Sequence, residues 1–229
     1  MNGRSVTVGG GDRAPRRASA STVIEVFADV VCPFTHVGLT RLVERRRALG
    51  SSAVVRVRAW PLELVNGEPL GAELVTEEVQ ELRRQVAPDL FAGFDRSRFP
   101  STSLPALGLA AAAYRESSHL GERVSLALRH ALFEDGLDIA DADVLADIAR
   151  AHDVPRVEAV DRDAVRSDWD EGRSRGVQGS PHFFLGDEGY LCPALDITRV
   201  DGQLQIASDT AAFEAFVVRA FATPDDIQL

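Results

Sequence analysis

One cysteine has neighbours that favour reactivity. The apolar run at residues 23–31 leads directly into Cys32 and Pro33, and an amphipathic segment follows at once. This order predicts a buried strand that delivers Cys32 to the start of a helix, with Pro33 at the first helical position, where its missing N–H is not needed. Free backbone amides and the positive end of the helix dipole favour a thiolate there. We therefore expect Cys32 to carry the chemistry rather than to be an inert buried thiol.

The elements around Cys32 are predicted to form a βαβ unit. A first strand is expected over roughly residues 22–31 and a helix over 33–48. The β-branched run at 53–60 predicts a second strand, which Pro61 ends. A strand, a helix and a strand of these lengths indicate two parallel strands joined by a right-handed crossover.

The middle of the chain is predicted to be helical. Between residues 70 and 176 apolar residues recur at helical spacing, which indicates a block of four or five helices. Asp141 and Asp161 fit the N-cap positions of two of these helices, since each precedes an apolar periodic segment.

Strands are predicted again after the helical block. Residues 179–185, which include Ser180 and Pro181, form a short apolar segment, and residues 190–195 can pair back against it across a hairpin turn. A last helix is expected to begin near Asp209. The predicted order is therefore βαβ, a helical block and ββα.

Two motifs together resemble the DsbA-like branch of the thioredoxin fold. One is DVVCPFTHVG at residues 29–38, which is similar to the family's strand-to-helix active-site turn. The other is GVQGSPHFFL at residues 176–185, which resembles the segment that holds the family's cis-proline. The family includes FrnE-type oxidoreductases and, more distantly, kappa-class glutathione transferases and 2-hydroxychromene-2-carboxylate isomerases. The resemblance implies an α/β, thioredoxin-like fold (βαβ…ββα) with an all-helical insertion between its two halves.

The resemblance and the composition divide the chain into three parts. The Gly-, Arg- and Ser-rich start of the chain predicts a disordered tail. The predicted parts are the tail at 1–21, a thioredoxin-like domain at 22–69 and 177–229, and an inserted helical domain at 70–176.

The active-site motif departs from the family at one position. Family oxidoreductases usually carry a second cysteine three residues after the first, where this chain has Thr35. A second thiolate would resolve a mixed disulfide by attacking the first sulfur, and Thr35 cannot do so. Its hydroxyl can donate a hydrogen bond to a Cys32 thiolate and help to lower the thiol pKa. The motif predicts either a monothiol cycle resolved by a small thiol, or a Cys32 that binds or polarises a ligand without disulfide exchange.

The resemblance also assigns expected roles around the second motif. It implies that Pro181 is cis, faces Cys32 and leaves the backbone of Ser180 to pair with a thiol ligand or peptide. Aromatic residues near the two motifs could line an apolar ligand groove or belong to the core, and the core is preferred for Trp60. These aromatic residues are Phe34, Trp60 and Phe183.

Four further residues have two interpretations each. His36 and His182 flank the predicted site and could donate to a thiolate or shuttle a proton, but each could also be a packing residue. Asp29 could tune Cys32 as a buried proton acceptor, although capping of the strand-to-helix turn is preferred. Cys192 is a candidate resolving thiol, but its predicted strand places it away from the active-site turn, so a structural role is preferred.

Composition limits the partners. A net charge of −10 and a pI near 5.0 argue against nucleic acid and anionic membranes. The 229 residues contain no apolar stretch of membrane-spanning length, and the N-terminal segment lacks a signal-peptide core, so we expect a cytoplasmic protein. The remaining histidines share no ligand spacing, which predicts no metal site. No tightly bound cofactor is expected, and no feature indicates the oligomeric state.

Three functions remain open from the sequence. The first is a DsbA- or FrnE-like thiol-disulfide oxidoreductase that works through Cys32 with a low-molecular-weight thiol such as glutathione or mycothiol. Protein disulfides are candidate substrates of this enzyme. The second is a kappa-class-like transferase or isomerase, in which Cys32 or Thr35 orients the thiol for attack on a small electrophile. The third is a non-catalytic thioredoxin-like binding module.

Overall fold

A computed structural model describes residues 23–155 and 161–221. The predicted tail at 1–21 and the first residue of the predicted first strand lie outside the described residues. The described helices and strands, in chain order, are β1 (Val23–Ala28), α1 (Pro33–Ala48), β2 (Val54–Ala59), α2 (Leu62–Asn66), α3 (Ala72–Gln85), α4 (Leu104–Glu116), α5 (Ser118–Phe133), α6 (Ala142–Ala151), α7 (Arg162–Ser174), β3 (His182–Leu185), β4 (Glu188–Leu191), β5 (Leu195–Val200), β6 (Gln203–Ser208) and α8 (Thr210–Phe221).

The four-stranded sheet has the order β2-β1-β3-β4. β1 and β2 are parallel, which confirms the predicted βαβ unit, while β3 is antiparallel to β1 and β4 is antiparallel to β3. β1 lies inside the sheet, and its residues from Val26 to Ala28 are all buried. Burial on both faces explains why the sequence of β1 is an almost continuous apolar run rather than an alternating one.

Both faces of the sheet are covered by helices. On one face, Phe183 of β3 packs against α8 and lies next to α1. On the other face, Phe27, Trp60 and Phe184 form a separate apolar cluster beneath α7. Gly172 of α7 lies so close to Trp60 that an added Cβ would be 2.7 Å from the ring, so only glycine allows this approach. Trp60 and Phe183 are therefore core residues.

The helical block between the two halves of the sheet contains five helices, α3 to α7, within the predicted range 70–176. The two predicted N-caps are confirmed. The Asp141 carboxylate accepts a hydrogen bond from the Asp143 N–H, and the Asp161 carboxylate accepts one from the Ala164 N–H. In the part of the chain that the structure describes, no helix is both long enough and apolar enough to cross a bilayer.

Two predicted strands are shorter than expected, and each ends for a local reason. β1 ends at Ala28 rather than at residue 31, because the Asp29 carboxylate accepts a hydrogen bond from the Val31 N–H and turns the chain. β4 ends at Leu191 rather than at residue 195, because Cys192 adopts a left-handed conformation with φ of 43°. Both ends lie at the candidate site.

A second, two-stranded sheet lies between β4 and α8 and is absent from the predicted ββα order. It consists of β5 and β6, which pair in antiparallel fashion across a tight turn at Asp201-Gly202. β6 packs against α3 of the helical block. Its alternation of buried Leu204 and Ile206 with exposed neighbours is the period-two signal of a half-buried strand.

Candidate active site

The two sequence motifs meet at one point in the structure. Cys32 is the N-cap of α1, Pro33 occupies the first helical position, and the Ser180–Pro181 peptide bond is cis. The Cys32 thiol donates a hydrogen bond to the Ser180 carbonyl, with an Sγ···O distance of 3.1 Å. Cys32 is 3% exposed, so its sulfur is held inside the junction between the two motifs.

The Ser180 side chain joins the end of β1 to the first turn of α1. Its hydroxyl lies 2.9 Å from the Thr35 hydroxyl and accepts a hydrogen bond of 2.9 Å from the Asp29 N–H. Thr35 is fully buried. Thr35, which stands where the family has its second cysteine, is therefore hydrogen-bonded to the segment that holds the cis-proline.

Asp29 fixes the turn that presents Cys32. Its fully buried carboxylate accepts hydrogen bonds from the Val31 N–H (3.2 Å), the Leu62 N–H (2.6 Å) and the Ser103 hydroxyl (3.1 Å). Burial raises the pKa of the Asp29 carboxyl, although these three hydrogen bonds oppose the rise. The contacts tie the end of β1 to the first residue of α2 and to the start of α4.

The pKa of the Cys32 thiol is raised, so the expected net preference for a thiolate is wrong for this buried site, although Thr35 does lower the pKa as predicted. Burial is the largest cause and outweighs the hydrogen bonds from Thr35 and Ser180, which lower the pKa. The negative charge of Glu78 on α3 adds to the rise. Loss of water disfavours the charged thiolate more than the surrounding donors favour it. A raised pKa favours the protonated thiol, which can donate to the Ser180 carbonyl.

Glu78 is a titratable residue near Cys32 that the sequence analysis missed. It is half-buried on α3, beside the buried Val75 and Val79. Burial raises its pKa to about 7, while the charge of Arg199 opposes the rise. In the sequence it is one of many acidic residues on an amphipathic helix, and only the packing of α3 beside α1 brings it near Cys32.

Arg129 is a second missed residue. It is 1% exposed on α5, and one guanidinium nitrogen donates to the Asp29 carbonyl at 3.1 Å while another donates to the Ser125 carbonyl and hydroxyl at 2.9 and 2.8 Å. Within residues 23–155 and 161–221, no carboxylate lies within 4 Å of it and its Nε has no partner. Burial lowers the pKa of Arg129 to about 10, and the charges of Asp29 and Cys32 oppose this. The polar pair Ser125 and Arg129, four residues apart in an apolar stripe, was the available sequence signal.

The two candidate histidines have partners other than Cys32. The His36 Nε2 lies 2.7 Å from a Glu134 carboxylate oxygen. The His182 Nδ1 accepts a hydrogen bond of 3.2 Å from the Gln178 N–H. Burial lowers the pKa of both rings. Each ring therefore has a structural role in this geometry, and neither is hydrogen-bonded to the sulfur within the described residues.

The His36–Glu134 pair predicts an acid-sensitive contact. Burial disfavours the Glu134 carboxylate, but hydrogen bonds from His36 and from the Phe91 and Ala92 N–H groups outweigh it and lower its pKa to about 2. Because the pKa of Glu134 is lower in the folded protein than in the unfolded chain, its carboxylate stabilises the fold at pH values above the ordinary carboxyl pKa. This stabilisation is lost as the pH falls towards 2. Glu134→Gln should therefore destabilise the protein at pH 6 more than at pH 3, as measured by denaturant unfolding. An equal loss at both pH values would contradict this.

Cys192 lies beside the cis-proline, next to the strand that the hairpin prediction paired it with. Its N–H donates to the Pro181 carbonyl at 3.0 Å, and its side chain is partly exposed. Burial raises the pKa of Cys192 to about 12, and the negative charge that Cys32 can carry adds to the rise. The two free cysteines are therefore electrostatic neighbours.

The remaining candidate, Phe34, is half-buried and packs against the main core from the first turn of α1. Among residues 23–155 and 161–221, no three His, Cys, Asp or Glu side chains are grouped so that they could hold a metal ion. The described chemistry of the site is therefore that of a thiol, hydroxyls and buried charges.

A family model for the DSBA-like thioredoxin domain matches residues 23–205. The chain belongs to this family. The DsbA-like assignment agrees with the thioredoxin-like sheet, the inserted helices and the junction of Cys32 with the cis-proline segment. No curated protein matches the sequence.

Solved structures with the same fold are distant in sequence from this DsbA-like chain. A probable DsbA oxidoreductase from Streptomyces coelicolor is 18% identical, with a TM-score of 0.61 over 87% of this chain and 90% of the other. The cytosolic disulfide reductase DsbM from Pseudomonas aeruginosa, solved with GSH, is 17% identical, with a TM-score of 0.56 over 89% and 94%. A 2-hydroxychromene-2-carboxylate isomerase is 16% identical, with a TM-score of 0.55 over 73% and 87%. At these identities the likeness is one of fold.

Proposed function

We propose that this DsbA-like protein is a monothiol, FrnE-like thiol-disulfide oxidoreductase whose nucleophile is Cys32. The observation that carries the proposal is the contact between the Cys32 sulfur and the Ser180 carbonyl, next to a Thr35 that is buried where a second cysteine would stand. In the described residues the Ser180 N–H donates to no protein group, so it is free to bind a carbonyl of a substrate. The junction supplies a nucleophile and an adjacent backbone donor.

The proposed cycle has two exchange steps. The Cys32 thiolate attacks a disulfide, forms a mixed disulfide and releases one thiolate. An external thiol then attacks the mixed disulfide and regenerates Cys32, because Thr35 provides no sulfur. The raised thiol pKa makes the thiolate a small fraction at neutral pH, and the fixed positive charge of Arg129 favours it. Arg129 is thus assigned a positioning and electrostatic role.

A low-molecular-weight thiol is the proposed co-substrate, either glutathione or mycothiol, and no tightly bound cofactor takes part in this cycle. Support comes from DsbM, which is described as a cytosolic disulfide reductase and whose structure was solved with GSH. The same comparison supports a cytoplasmic location for this chain. We propose that the thioredoxin-like domain, 22–69 and 177–229, carries the nucleophile, and that the inserted domain, 70–176, supplies the buried charges beneath it.

A second candidate function is favoured by the raised pKa of Cys32. A thiol that stays protonated can donate a hydrogen bond to the sulfur of a bound thiolate, as a kappa-class-like transferase or isomerase acting on a small electrophile requires. This candidate predicts saturable binding of glutathione or mycothiol without a mixed disulfide. A protein that shows neither binding nor an adduct would be a non-catalytic binding module.

Replacing Thr35 by cysteine tests the monothiol cycle. Thr35→Cys restores two cysteines separated by two residues, so the mixed disulfide on Cys32 should be resolved from within the protein. The test is made in the Cys192→Ser background, where intact-mass spectrometry after exposure to oxidised glutathione should show loss of two hydrogens in Thr35→Cys. The control, Cys32→Ser/Thr35→Cys in the same background, cannot form that pair. Turnover in a glutathione-coupled disulfide assay should then depend less steeply on thiol concentration. No reaction of either variant with oxidised glutathione would contradict the proposed function.

A further inference from the structure

We infer that Cys192 is a second redox thiol, which can discharge a mixed disulfide on Cys32 by forming a Cys32–Cys192 disulfide. This inference rests on the proposed function, which supplies the mixed disulfide. It assigns the second sulfur to the turn that follows β4, beside the cis-proline, rather than to the helix that follows Cys32.

The position of Cys192 is the first support. The Cys32 sulfur contacts the Ser180 carbonyl at 3.1 Å, and the Cys192 N–H contacts the Pro181 carbonyl at 3.0 Å. The two cysteines therefore contact consecutive carbonyls of a single dipeptide. A disulfide ligand bound at the Ser180 backbone would therefore lie next to the Cys32 sulfur. Cys192 would lie beside Pro181, the next residue of the protein.

The local backbone is the second support. Cys192 follows the last residue of β4 and has φ of 43°, a left-handed conformation that is uncommon for a residue with a side chain. Its carbonyl accepts from the Leu195 N–H at 3.1 Å, which makes a tight turn. Cys192 thus lies on a partly exposed turn at the end of β4 rather than within the paired strand.

The charges around the two sulfurs are the third support. A negative charge on Cys32 opposes ionisation of Cys192, and the charge of Arg41 favours it. The Arg41 guanidinium is held by the Ala194 carbonyl at 3.1 Å and the Val86 carbonyl at 2.9 Å, and no described carboxylate lies within 4 Å of it. Neither a protonated Cys32 thiol nor a mixed disulfide on Cys32 carries that negative charge, while the charge of Arg41 remains. Arg41 therefore favours the Cys192 thiolate when the mixed disulfide is present.

The chemical step is balanced as follows. The Cys192 thiolate attacks the Cys32 sulfur of the mixed disulfide, and a Cys32–Cys192 bond forms as the bond to the small thiol breaks. The departing thiolate takes up the proton that Cys192 has lost. The oxidant is the small-molecule disulfide of the first exchange, which has then been reduced by two electrons to two thiols. Two molecules of external thiol later reduce the protein disulfide and restore both cysteines.

A time course with oxidised glutathione tests the inference. The reduced wild-type protein, Cys192→Ser and Cys32→Ser are mixed with oxidised glutathione, quenched in acid and measured by intact-mass spectrometry. The wild type should gain one glutathionyl group briefly and then show only the loss of two hydrogens. In Cys192→Ser the adduct should last at least about tenfold longer, since an internal thiol acts at an effective concentration of millimolar order. Peptide mapping should find Cys32 linked to Cys192.

The possible failures are distinguishable. An adduct that persists equally in the wild type and in Cys192→Ser overturns the inference and leaves the proposed function standing. A disulfide that joins two copies of the chain through Cys192, which a non-reducing gel would show, also overturns the inference and leaves the proposed function standing. Absence of an adduct on every variant that retains Cys32 overturns the proposed function itself. Cys192→Ala, with its thermal midpoint measured alongside, guards against a serine-specific effect on folding.

Discussion

Cys32→Ser is expected to abolish glutathione-dependent reduction of a small disulfide, with a loss of about 1,000-fold or more, as when an essential nucleophile is removed. Serine keeps a donor for the Ser180 carbonyl, so the hydrogen bond at 3.1 Å has a replacement and the fold should be retained. A hydroxyl does not form a disulfide, so no other group in the Cys-Pro-Phe-Thr motif can take over. The measurement is the coupled turnover rate with glutathione or mycothiol as the reducing thiol.

The serine variant also separates the candidate functions. Its thermal unfolding midpoint should lie within a few degrees of the wild type, which would show that lost turnover reflects chemistry. If Cys32→Ser retained most of the disulfide reductase activity, Cys32 would not be the nucleophile. If the protein instead bound glutathione saturably in both forms and conjugated it to an electrophile, the transferase candidate would be favoured.

Arg129→Met is expected to raise the pKa of Cys32 further, and so to slow the alkylation of Cys32 at neutral pH by a few-fold. The reason is the loss of a buried cation that interacts with Cys32 and donates to the Asp29 carbonyl. Arg129→Lys retains the charge but not the forked donors, so it should stay closer to the wild type. The measurement is the pH dependence of the alkylation rate of Cys32.

The comparison of the two substitutions decides what Arg129 does. If Arg129 acted only through its contacts with Ser125 and Asp29, the two substitutions would disturb the fold to the same extent. The pKa of Cys32 would then be unchanged in both variants. Raised pKa values of equal size in both variants would indicate that donor geometry rather than charge matters. If the charge of Arg129 acts on Cys32, the pKa of Cys32 should rise clearly in Arg129→Met and less in Arg129→Lys.

Local sequence signals were sufficient for much of the fold but not for the meeting of the two motifs. Pro33 after an apolar run indicated where α1 begins, and Asp141 and Asp161 indicated two helix starts that the structure confirms. These features depend on residues within one turn of each other. The position of Cys32 opposite Ser180 was reached differently, through the resemblance, because no local pattern relates residues 148 positions apart.

The parts that could not be predicted depend on tertiary packing. The pKa of Cys32 was expected to fall because the helix start is visible in the sequence, whereas the burial that raises it is not. Arg129 and Glu78 come from the inserted helices, and their proximity to Cys32 follows only from how those helices pack. Cys192 was placed in a strand because its neighbours suit one, whereas its left-handed φ of 43° ends that strand at Leu191.

The most direct test of the central claim is the location of the first adduct. The Cys192→Ser variant should be exposed briefly to oxidised glutathione, and its free thiols alkylated before peptide mapping. The proposed function predicts a glutathionyl group on the peptide that contains Cys32, and its removal by added glutathione. A Cys32 that is recovered fully alkylated and without an adduct, in a protein that is folded, would contradict the claim that Cys32 exchanges disulfides.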